Sequence, residues 1–298
     1  MRNRDFLLVT LAAALWGTGG VLGLELSRHA AIHPLSVAMW RMLVGGLSLV
    51  ILQAVRGRLT FRFSTAAWRR ILISAVLTAA FEALFFTALT LSSVGLTTLI
   101  GIGSAPVFVA ISDKVFRRER PQKRTAAALT LALVGLALLM SGSLDVGEHG
   151  LWGAVLALAN GAVFAAITIV NRVPVPGLAP VPMTAIVFSI GGLLLVPVAA
   201  IPGLGVATDV AGLALMLALG MMITAGGYVA FLTGLQTVPP FVATIVSLLE
   251  PVIAAVLGAI VLGERLGPAG IAGGAVLGAT VVLLRPQRDK FGADPLTT

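Results

Sequence analysis

The sequence predicts an all-α integral membrane protein with ten transmembrane helices, arranged as two inverted five-helix repeats, and with both termini in the cytoplasm. Three observations carry this prediction: a very apolar composition, basic residues confined to alternate connections, and a second half that repeats the first. Of the 298 residues, 58% are hydrophobic and 11% are charged, and the mean hydropathy is +1.05. Because a soluble domain is roughly 45–50% apolar, this composition excludes a water-soluble fold.

Ten apolar runs are long enough to cross a bilayer, which takes about 20 helical residues. Each run is expected to be a helix, since backbone amides cannot stay unpaired in hydrocarbon. The first five runs cover residues 6–26, 34–55, 70–91, 94–113 and 124–141. The other five cover residues 150–170, 181–201, 210–235, 240–262 and 266–285. The basic and apolar start of the chain resembles a signal peptide, but because apolar runs follow to the C-terminus we expect it to be retained.

The distribution of Lys and Arg predicts the orientation of the spans. With the N-terminus inside, the basic residues of the inner connections lie within 2–4, 56–70, 114–124, 172 and 285–290. Only Arg28 and Arg265 fall in outer connections, and Arg41 falls within a span. This asymmetry follows the positive-inside rule, and it places both termini in the cytoplasm. The net charge of +8 is therefore explained by topology and predicts no nucleic-acid partner.

An internal repeat divides the chain into two units, residues 1–145 with spans one to five and residues 146–298 with spans six to ten. An offset of about 146 residues places Pro34 on Pro180 and Gly45-Gly46-Leu47 on Gly191-Gly192-Leu193. After a gap of one residue, Pro106 falls on Pro251 and Glu119 on Glu264. Because each unit has an odd number of spans, the second must enter the membrane in the opposite direction. The basic segment 117–124 also has a counterpart, 263–269, that keeps only Arg265.

Several motifs occur in order along the chain. They are Trp16-Gly17, Arg41, the stretch 88–121 and its second copy, which runs from Gly234 through Glu250-Pro251 to Arg265. With these residues the sequence resembles the drug/metabolite transporter superfamily, in its ten-span type with two EamA repeats. The resemblance implies a carrier with a central cavity between the halves that works by alternating access. It is most similar to exporters of amino acids of the YddG type.

The resemblance also has departures. Asn160-Gly161 stands where the first half has Trp16-Gly17, and Val187 stands in the place of Arg41. The cavity is therefore expected to be asymmetric.

Two acidic residues fall near the middle of predicted spans, where a charged side chain costs roughly 2.5–3.5 kcal/mol on insertion scales. For Glu82, one hypothesis is that the carboxylate binds a solute ammonium or carries a proton, and the other is a pair with a neighbouring helix. Its repeat counterpart is Tyr228, the single tyrosine of the chain, which could offer a phenol to the same cavity or simply pack. Glu250 precedes Pro251, and it could bind solute or proton, or satisfy backbone amides at a kink.

Other residues complete the predicted site. Pro106 and Pro251 are interpreted as symmetry-related hinges. Arg41 could clamp a solute carboxylate, or it could reach the outer interface and pair with Glu25. The predicted cavity walls are Trp16, Trp40, Phe81, Phe85 and Asn160, although aromatic side chains in a bundle often only pack.

Other features bear on cofactors and oligomers. With no cysteine and no His pair on a helix, the sequence predicts no metal and no cofactor. Gly270, Gly274 and Gly278 form a stripe on the last span that could pack within the monomer or in a homodimer. The predicted partners are therefore a small solute, membrane lipid and at most a second copy of the chain.

The rival functions are an enzyme, a channel and a structural scaffold. The sequence has no HExxH, GxSxG or GxxxxGK motif, and its connections are too short to build a catalytic domain. We therefore expect no enzymatic activity. The expected function is export of small metabolites across a bacterial inner membrane, with neutral and aromatic amino acids as the first candidates. Other amphipathic metabolites or drugs, and channel-like facilitation, are the alternatives.

Overall fold

The computed structural model describes residues 1–58, 63–92, 94–118, 122–141, 150–261 and 267–285. In the first half the α-helices are α1 (Asn3–His29), α2 (Pro34–Val55), α3 (Thr65–Leu91), α4 (Val94–Ser112) and α5 (Lys123–Met140). In the second half they are α6 (Gly150–Asn171), α7 (Pro180–Ala200), α8 (Val210–Leu217), α9 (Gly227–Gly234), α10 (Pro240–Ser247), α11 (Leu249–Val261) and α12 (Pro268–Leu284). The described part of the chain contains no strand.

The helices have the length and composition of membrane spans. Across the described residues, nine helical runs are long and apolar enough to cross a bilayer, and α12 is a further apolar helix of 17 residues. The run Val210–Gly234 includes α8 and α9, and the run Pro240–Ile260 includes α10 and most of α11. The chain is therefore a multi-pass membrane protein, as predicted. The predicted runs lie within a few residues of these helices, and the largest difference is at α3.

Local sequence explains where helices begin. α2, α7, α10 and α12 each start with proline, which has the right φ for the first turn and lacks an N–H that would have no partner there. The side chain of Ser64 accepts a hydrogen bond from the backbone N–H of Ala67 and caps α3. This cap, followed by a short amphipathic stretch, starts α3 five residues before the predicted apolar run.

Two spans of the second half are not regular α-helices. Residues Ala218–Gly226 form a π-helical segment between α8 and α9, so that Tyr228 follows a widened turn. The next span is interrupted at Leu248, between α10 and α11. Pro251 explains the interruption, because it has no N–H for the carbonyl of Ser247 four residues earlier and its ring clashes with that carbonyl. Pro106, in contrast, lies inside the uninterrupted helix α4.

Helices of the two halves pack in reciprocal pairs. α2 packs against α7, and α5 packs against α12. α1 packs against α9 and α11, while α6 packs against α3 and α4. Gly17 allows α1 to approach α11 closely, since a Cβ there would lie 2.6 Å from the carbonyl oxygen of Glu250. Gly161 likewise allows α6 to approach α4 closely, since a Cβ there would meet the carbonyl oxygen of Gly101.

The predicted glycine stripe of the last span does not form the closest contact of α12. That contact is at Gly273, where a Cβ would lie 2.4 Å from the carbonyl oxygen of Gly135 in α5. Gly274 has only ordinary van der Waals neighbours, and Gly278 faces open space. Packing of α12 within the chain therefore uses Gly273, while Gly270 of the predicted stripe is buried. The alternative that the stripe packs in a homodimer stays a prediction.

The bundle has an N-terminal face, at which α1 begins, and an opposite face, at which α1 ends. At the N-terminal face the backbone N–H of Arg2 donates to the hydroxyl of Thr237 after α9, and Arg70 at the start of α3 donates to the carbonyl of Val173 after α6. The described basic residues of this face are Arg2, Arg4, Arg56, Arg58, Arg69, Arg70, Lys114, Arg117, Arg118, Lys123, Arg124, Arg172 and Arg285. Arg28 is at the opposite face.

Some features of the prediction lie outside the described residues. These are Arg62, Glu119, Arg120, His149, Glu264, Arg265, Arg288, Lys290 and the junction between residues 145 and 146.

Candidate functional site

A buried ion pair joins α2 and α3 in the first half. Nη2 of Arg41 lies 2.8 Å from Oε1 of Glu82, and only 16% and 2% of the two side chains are exposed. Arg41 also places its guanidinium carbon 5.9 Å from the centre of the Phe86 ring, a cation–π distance. The acid that Arg41 contacts is therefore Glu82, and of the alternatives considered for Arg41 the pair with Glu25 is not formed. Two opposite charges that pair in hydrocarbon avoid the cost of an isolated charge.

The Nε atom of Arg41 has no hydrogen-bond partner among the described residues, although it is buried. A guanidinium has five donors, and one pair to Glu82 leaves donors for a second acceptor. Arg41 can thus stay paired with Glu82 and still bind another carboxylate.

Tyr228 lies beside Trp16 of α1, with 4% of its surface exposed. The ring centres of these two residues are 5.0 Å apart, and the Tyr228 ring is also 4.7 Å from that of Phe188 in an edge-to-face arrangement. Trp16 in turn contacts Phe231 and Phe164, at 5.2 and 6.2 Å. Distances of 4.5–7 Å are those of favourable aromatic pairs. The structure therefore brings Trp16 and Tyr228, both predicted site residues, into direct contact.

The aromatic contacts continue into α3. The ring of Phe164 lies 5.6 Å from that of Phe81, which stacks on Phe85 at 6.3 Å. Phe85 then contacts Phe86, the ring below Arg41, at 5.7 Å. We call this connected set the aromatic cluster. Its members are Trp16, Phe81, Phe85, Phe86, Phe164, Phe188, Tyr228 and Phe231.

Half of the aromatic cluster was missed by sequence reasoning. Phe86, Phe164, Phe188 and Phe231 were not among the predicted wall residues. Phe164 and Phe231 could have been found from spacing, because Phe164 is four residues after Asn160 and Phe231 corresponds to Phe85 in the repeat. Phe188 follows Val187, the residue at the position of Arg41 in the repeat, and the sequence gives no separate signal for it.

Glu250 lies in the first turn of α11, directly after the interruption at Leu248. It is partly buried, and its carboxylate makes no hydrogen bond or ion pair with any residue that the structure describes. Arg41, Glu82 and Tyr228 are all close enough to interact with it electrostatically. The structure thus places Glu250 near the Arg41–Glu82 pair, as one unpaired acid beside two paired charges.

Asn160 is completely buried between helices of the bundle. Its Nδ2 donates to the backbone carbonyl of Phe81 at 2.7 Å, and its Oδ1 is buried without a partner. A Cβ on Gly101 would lie 3.0 Å from that oxygen. Asn160 therefore fastens α6 to α3 and packs on α4, which is a contact between helices.

Trp40 lies at the opposite face rather than in the aromatic cluster. Its indole Nε1 donates to the carbonyl of Gly205 at 2.8 Å, in the connection between α7 and α8. Ser36 holds the same connection through the backbone N–H of Gly205. Nearby, Nε2 of His29 lies 2.7 Å from Oδ2 of Asp209, and this hydrogen bond holds the pKa of Asp209 below its usual value. The opposite face is therefore closed by contacts between the two halves.

The N-terminal face is closed by a comparable set of contacts. The hydroxyl of Ser74 donates to Oδ1 of Asn171, and Arg172 lies 3.4 Å from Asp113. A cleft between the ends of α3, α6 and α9 is lined by Arg70, Asn171, Met183, Leu232 and Gln236. Contacts between the two halves thus lie at both faces, and the buried rings lie between them.

The described residues contain no group of three or more His, Asp or Glu side chains that could hold a metal ion. Among the described residues, polar groups without a full set of partners near the centre include the Arg41 guanidinium, the Glu250 carboxylate, the Trp16 N–H and the Oδ1 of Asn160. Chemically, such a set can bind a carboxylate, a cation and an aromatic or apolar group.

Comparison with known proteins identifies the family. The sequence model of the EamA-like transporter family matches twice, at residues 4–141 and 151–285. YwfM of Bacillus subtilis, described as an uncharacterized transporter, is 32% identical over 286 residues, which is 95% of each chain. YicL of Salmonella typhimurium, described as an uncharacterized inner membrane transporter, is 28% identical and covers 88% of each chain. An uncharacterized transporter of Archaeoglobus fulgidus is 26% identical, over 92% of this chain and 94% of its own.

A solved crystal structure has the same fold. It superposes with a TM-score of 0.79 at 16% identity, over 95% of this chain and 96% of that one. With two matches to the family model that together cover most of the chain, and a relative above 30% identity over nearly its whole length, the chain belongs to the EamA-like transporter family.

Proposed function

We propose that this protein exports neutral amino acids, aromatic ones in particular, across the bacterial inner membrane by alternating access. Its membership in a transporter family indicates a transporter rather than an enzyme. The observation that carries the finer proposal is the aromatic cluster next to two kinds of charge. A zwitterionic amino acid has a carboxylate for Arg41, an ammonium for an acidic side chain, and a ring for the cluster.

We further propose that the protein has ten spans in two inverted repeats. Exchanging α1 with α6, α3 with α8–α9, and α4 with α10–α11 turns the observed packing of α1 on α9 and α11 into the observed packing of α6 on α3 and α4. The family model also matches once in each half. α12, at 17 residues, is at the lower limit for a span and would be the tenth. This arrangement supports a solute site between the halves.

We place the N-terminal face in the cytoplasm. The described Lys and Arg residues outside the spans are concentrated there, and Arg28 is the described exception at the opposite face. Such an excess is typical of cytoplasmic connections. In a cell the solute would thus enter from the face at which α1 begins, and the contacts of Trp40, Ser36 and His29 would open to release it.

The test is transport by the full chain in liposomes. We expect saturable uptake of radiolabelled L-phenylalanine that is stimulated by unlabelled phenylalanine on the other side of the membrane. Unsaturable flux without this stimulation would favour a channel. Transport of other metabolites from a panel, without transport of any amino acid, would contradict the proposed solute.

The aromatic part of the site has a matched control within the chain. Trp16→Phe removes contacts in the aromatic cluster, and because aromatic pairs contribute about 0.5–1.5 kcal/mol, KM for phenylalanine should rise roughly two- to tenfold. Trp152→Phe makes the same change at an exposed position of α6 and should leave KM unchanged. Equal effects of the two substitutions would argue against a role of the cluster in binding.

The polar part of the site is tested by Glu82→Gln and Tyr228→Phe. Both variants should transport phenylalanine with altered rate or affinity. Wild-type transport by both would remove these residues from the site.

A further inference from the structure

The two membrane-embedded acids differ in their surroundings. Glu82 is almost completely buried and paired with Arg41 at 2.8 Å. Glu250 is partly exposed, and no described residue forms a hydrogen bond or ion pair with its carboxylate. With one arginine and two acids in the group, ionisation of both acids leaves one excess negative charge at Glu250.

No other charged group in the described part of the chain cancels this charge. Among these residues, the ionisable side chains that interact electrostatically with Glu250 are Arg41, Glu82 and Tyr228. α1 and α12 both pack against α11, but α12 has no ionisable residue and the central part of α1, residues 6–24, has none either. An unpaired charge at membrane depth costs roughly 2.5–3.5 kcal/mol on insertion scales. The carboxylate is therefore more stable when it binds one positive charge.

We propose that Glu250 binds a proton and the ammonium group of the solute in turn, so that export is coupled to entry of protons. The inference rests on the proposed function and adds its energy coupling. From outside, water delivers a proton to the carboxylate and an O–H bond forms. On the cytoplasmic side this bond breaks, the proton returns to water, and the solute ammonium takes its place as the counter-charge.

The helix interruption makes such an exchange possible. Pro251 leaves the carbonyl of Ser247 without its usual N–H donor, one turn before Glu250. As a residue Glu250 is only partly buried, in contrast to Glu82, and it has no described ion-pair partner. A water or an ammonium can thus approach the carboxylate without first breaking an ion pair.

The experiment measures proton release on solute binding. The purified full-length protein in weakly buffered detergent solution is mixed with saturating L-phenylalanine, and a pH-sensitive dye reports free protons. The wild-type protein should release about one proton per bound phenylalanine at a pH where Glu250 is protonated. There its apparent Kd should fall by up to about tenfold for each unit of rising pH, since each binding event displaces one proton.

Three variants separate coupling from folding. Glu250→Gln should release no proton and bind phenylalanine more weakly, with an affinity that does not depend on pH. Glu250→Asp keeps a carboxylate and should retain proton release. Glu25→Gln removes an acid at the exposed end of α1 and should behave as the wild type. If Glu250→Gln does not fold, the pH profiles of the wild type and of Glu250→Asp decide the question.

The possible failures are distinct. A wild-type protein that binds phenylalanine without proton release and with pH-independent affinity contradicts the coupling but not the proposed function. Binding that requires Na⁺ in place of a proton also overturns it, since a carboxylate beside a free carbonyl could bind that ion. Absence of any amino-acid binding or transport contradicts the proposed function, and the coupling falls with it.

Discussion

The two halves of the molecule place a proline at corresponding points of the sequence repeat, but the backbone differs around each. α4 continues through Pro106, whereas the corresponding span is interrupted three residues before Pro251. The π-helical segment Ala218–Gly226 lies between α8 and α9 in the second half, whereas the shorter π-helical segment of the first half, Asp113–Arg117, follows the end of α4. Among the described residues Glu250 has no hydrogen bond or ion pair, whereas Glu82 is paired with Arg41. Duplicated sequences can thus diverge in the regularity of the backbone and in the pairing of an acid.

The largest effect is expected from removal of the Arg41 guanidinium, which neutralises Glu82 in the first half. Arg41→Met leaves Glu82 buried without a partner and should lower the free energy of unfolding by about 3–5 kcal/mol. Thermal unfolding in detergent measures the change. Arg69→Met, at an exposed position of α3, is the control and should have little effect. The double variant with Glu82→Met should recover most of the loss, and failure to recover would show that Arg41 stabilises the fold by another contact.

The next test asks whether the two halves are equally sensitive where helices approach. In Gly17→Ala the new Cβ would meet the backbone of Glu250, and in Gly161→Ala it would meet the backbone of Gly101. Because backbone atoms cannot move easily, we expect each change to cost about 1–3 kcal/mol of stability. Gly20→Ala, with open space around it, should not destabilise. A cost in one half only would show that the reciprocal packing is not energetically equivalent.

Substitution of the two prolines should have smaller effects on transport and stability, and these effects should differ between the halves. Pro106→Ala adds a backbone N–H to a helix that is already continuous, which should stabilise by about 1 kcal/mol and leave transport close to wild type. Pro251→Ala lets α10 and α11 join and should slow transport without loss of stability. Rates of phenylalanine counterflow and melting temperatures measure the two effects. Equal slowing by both substitutions would support hinges of equal importance in the two halves.

The smallest effect is expected at the exposed ion pair of the opposite face. His29 and Asp209 are both well exposed, and surface pairs contribute little to stability. Asp209→Asn should therefore leave the melting temperature unchanged in the same assay that detects Arg41→Met. A large drop would mean that the contacts closing this face are coupled to the core.

The sequence was sufficient to predict the helices but not all of their contacts. Apolar runs and N-terminal prolines locate the spans, because both signals are local. The partner of Arg41 is 41 residues away, and its identity depends on how α2 and α3 are rotated. A comparison of depth could have found it, since Arg41 and Glu82 lie seven and nine residues from helix ends at the same face.

The irregular backbone of the second half was only partly predictable. Pro251 predicted a kink near Glu250, and the interruption at Leu248 confirms it. The π-helical segment has no comparable signal, because residues 218–226 contain neither proline nor charge. The segment packs against α1 and α2, and these contacts are between residues far apart in the sequence.

The location of Arg41 and Glu82 on neighbouring helices of one half has a consequence for motion. If the halves slide past each other, these two side chains travel together and their separation stays constant, while Glu250 travels with the other half. The distance from Glu250 to the guanidinium then changes at every stroke. Movement of the halves thereby changes the electrostatic potential at the two carboxylate oxygens of Glu250.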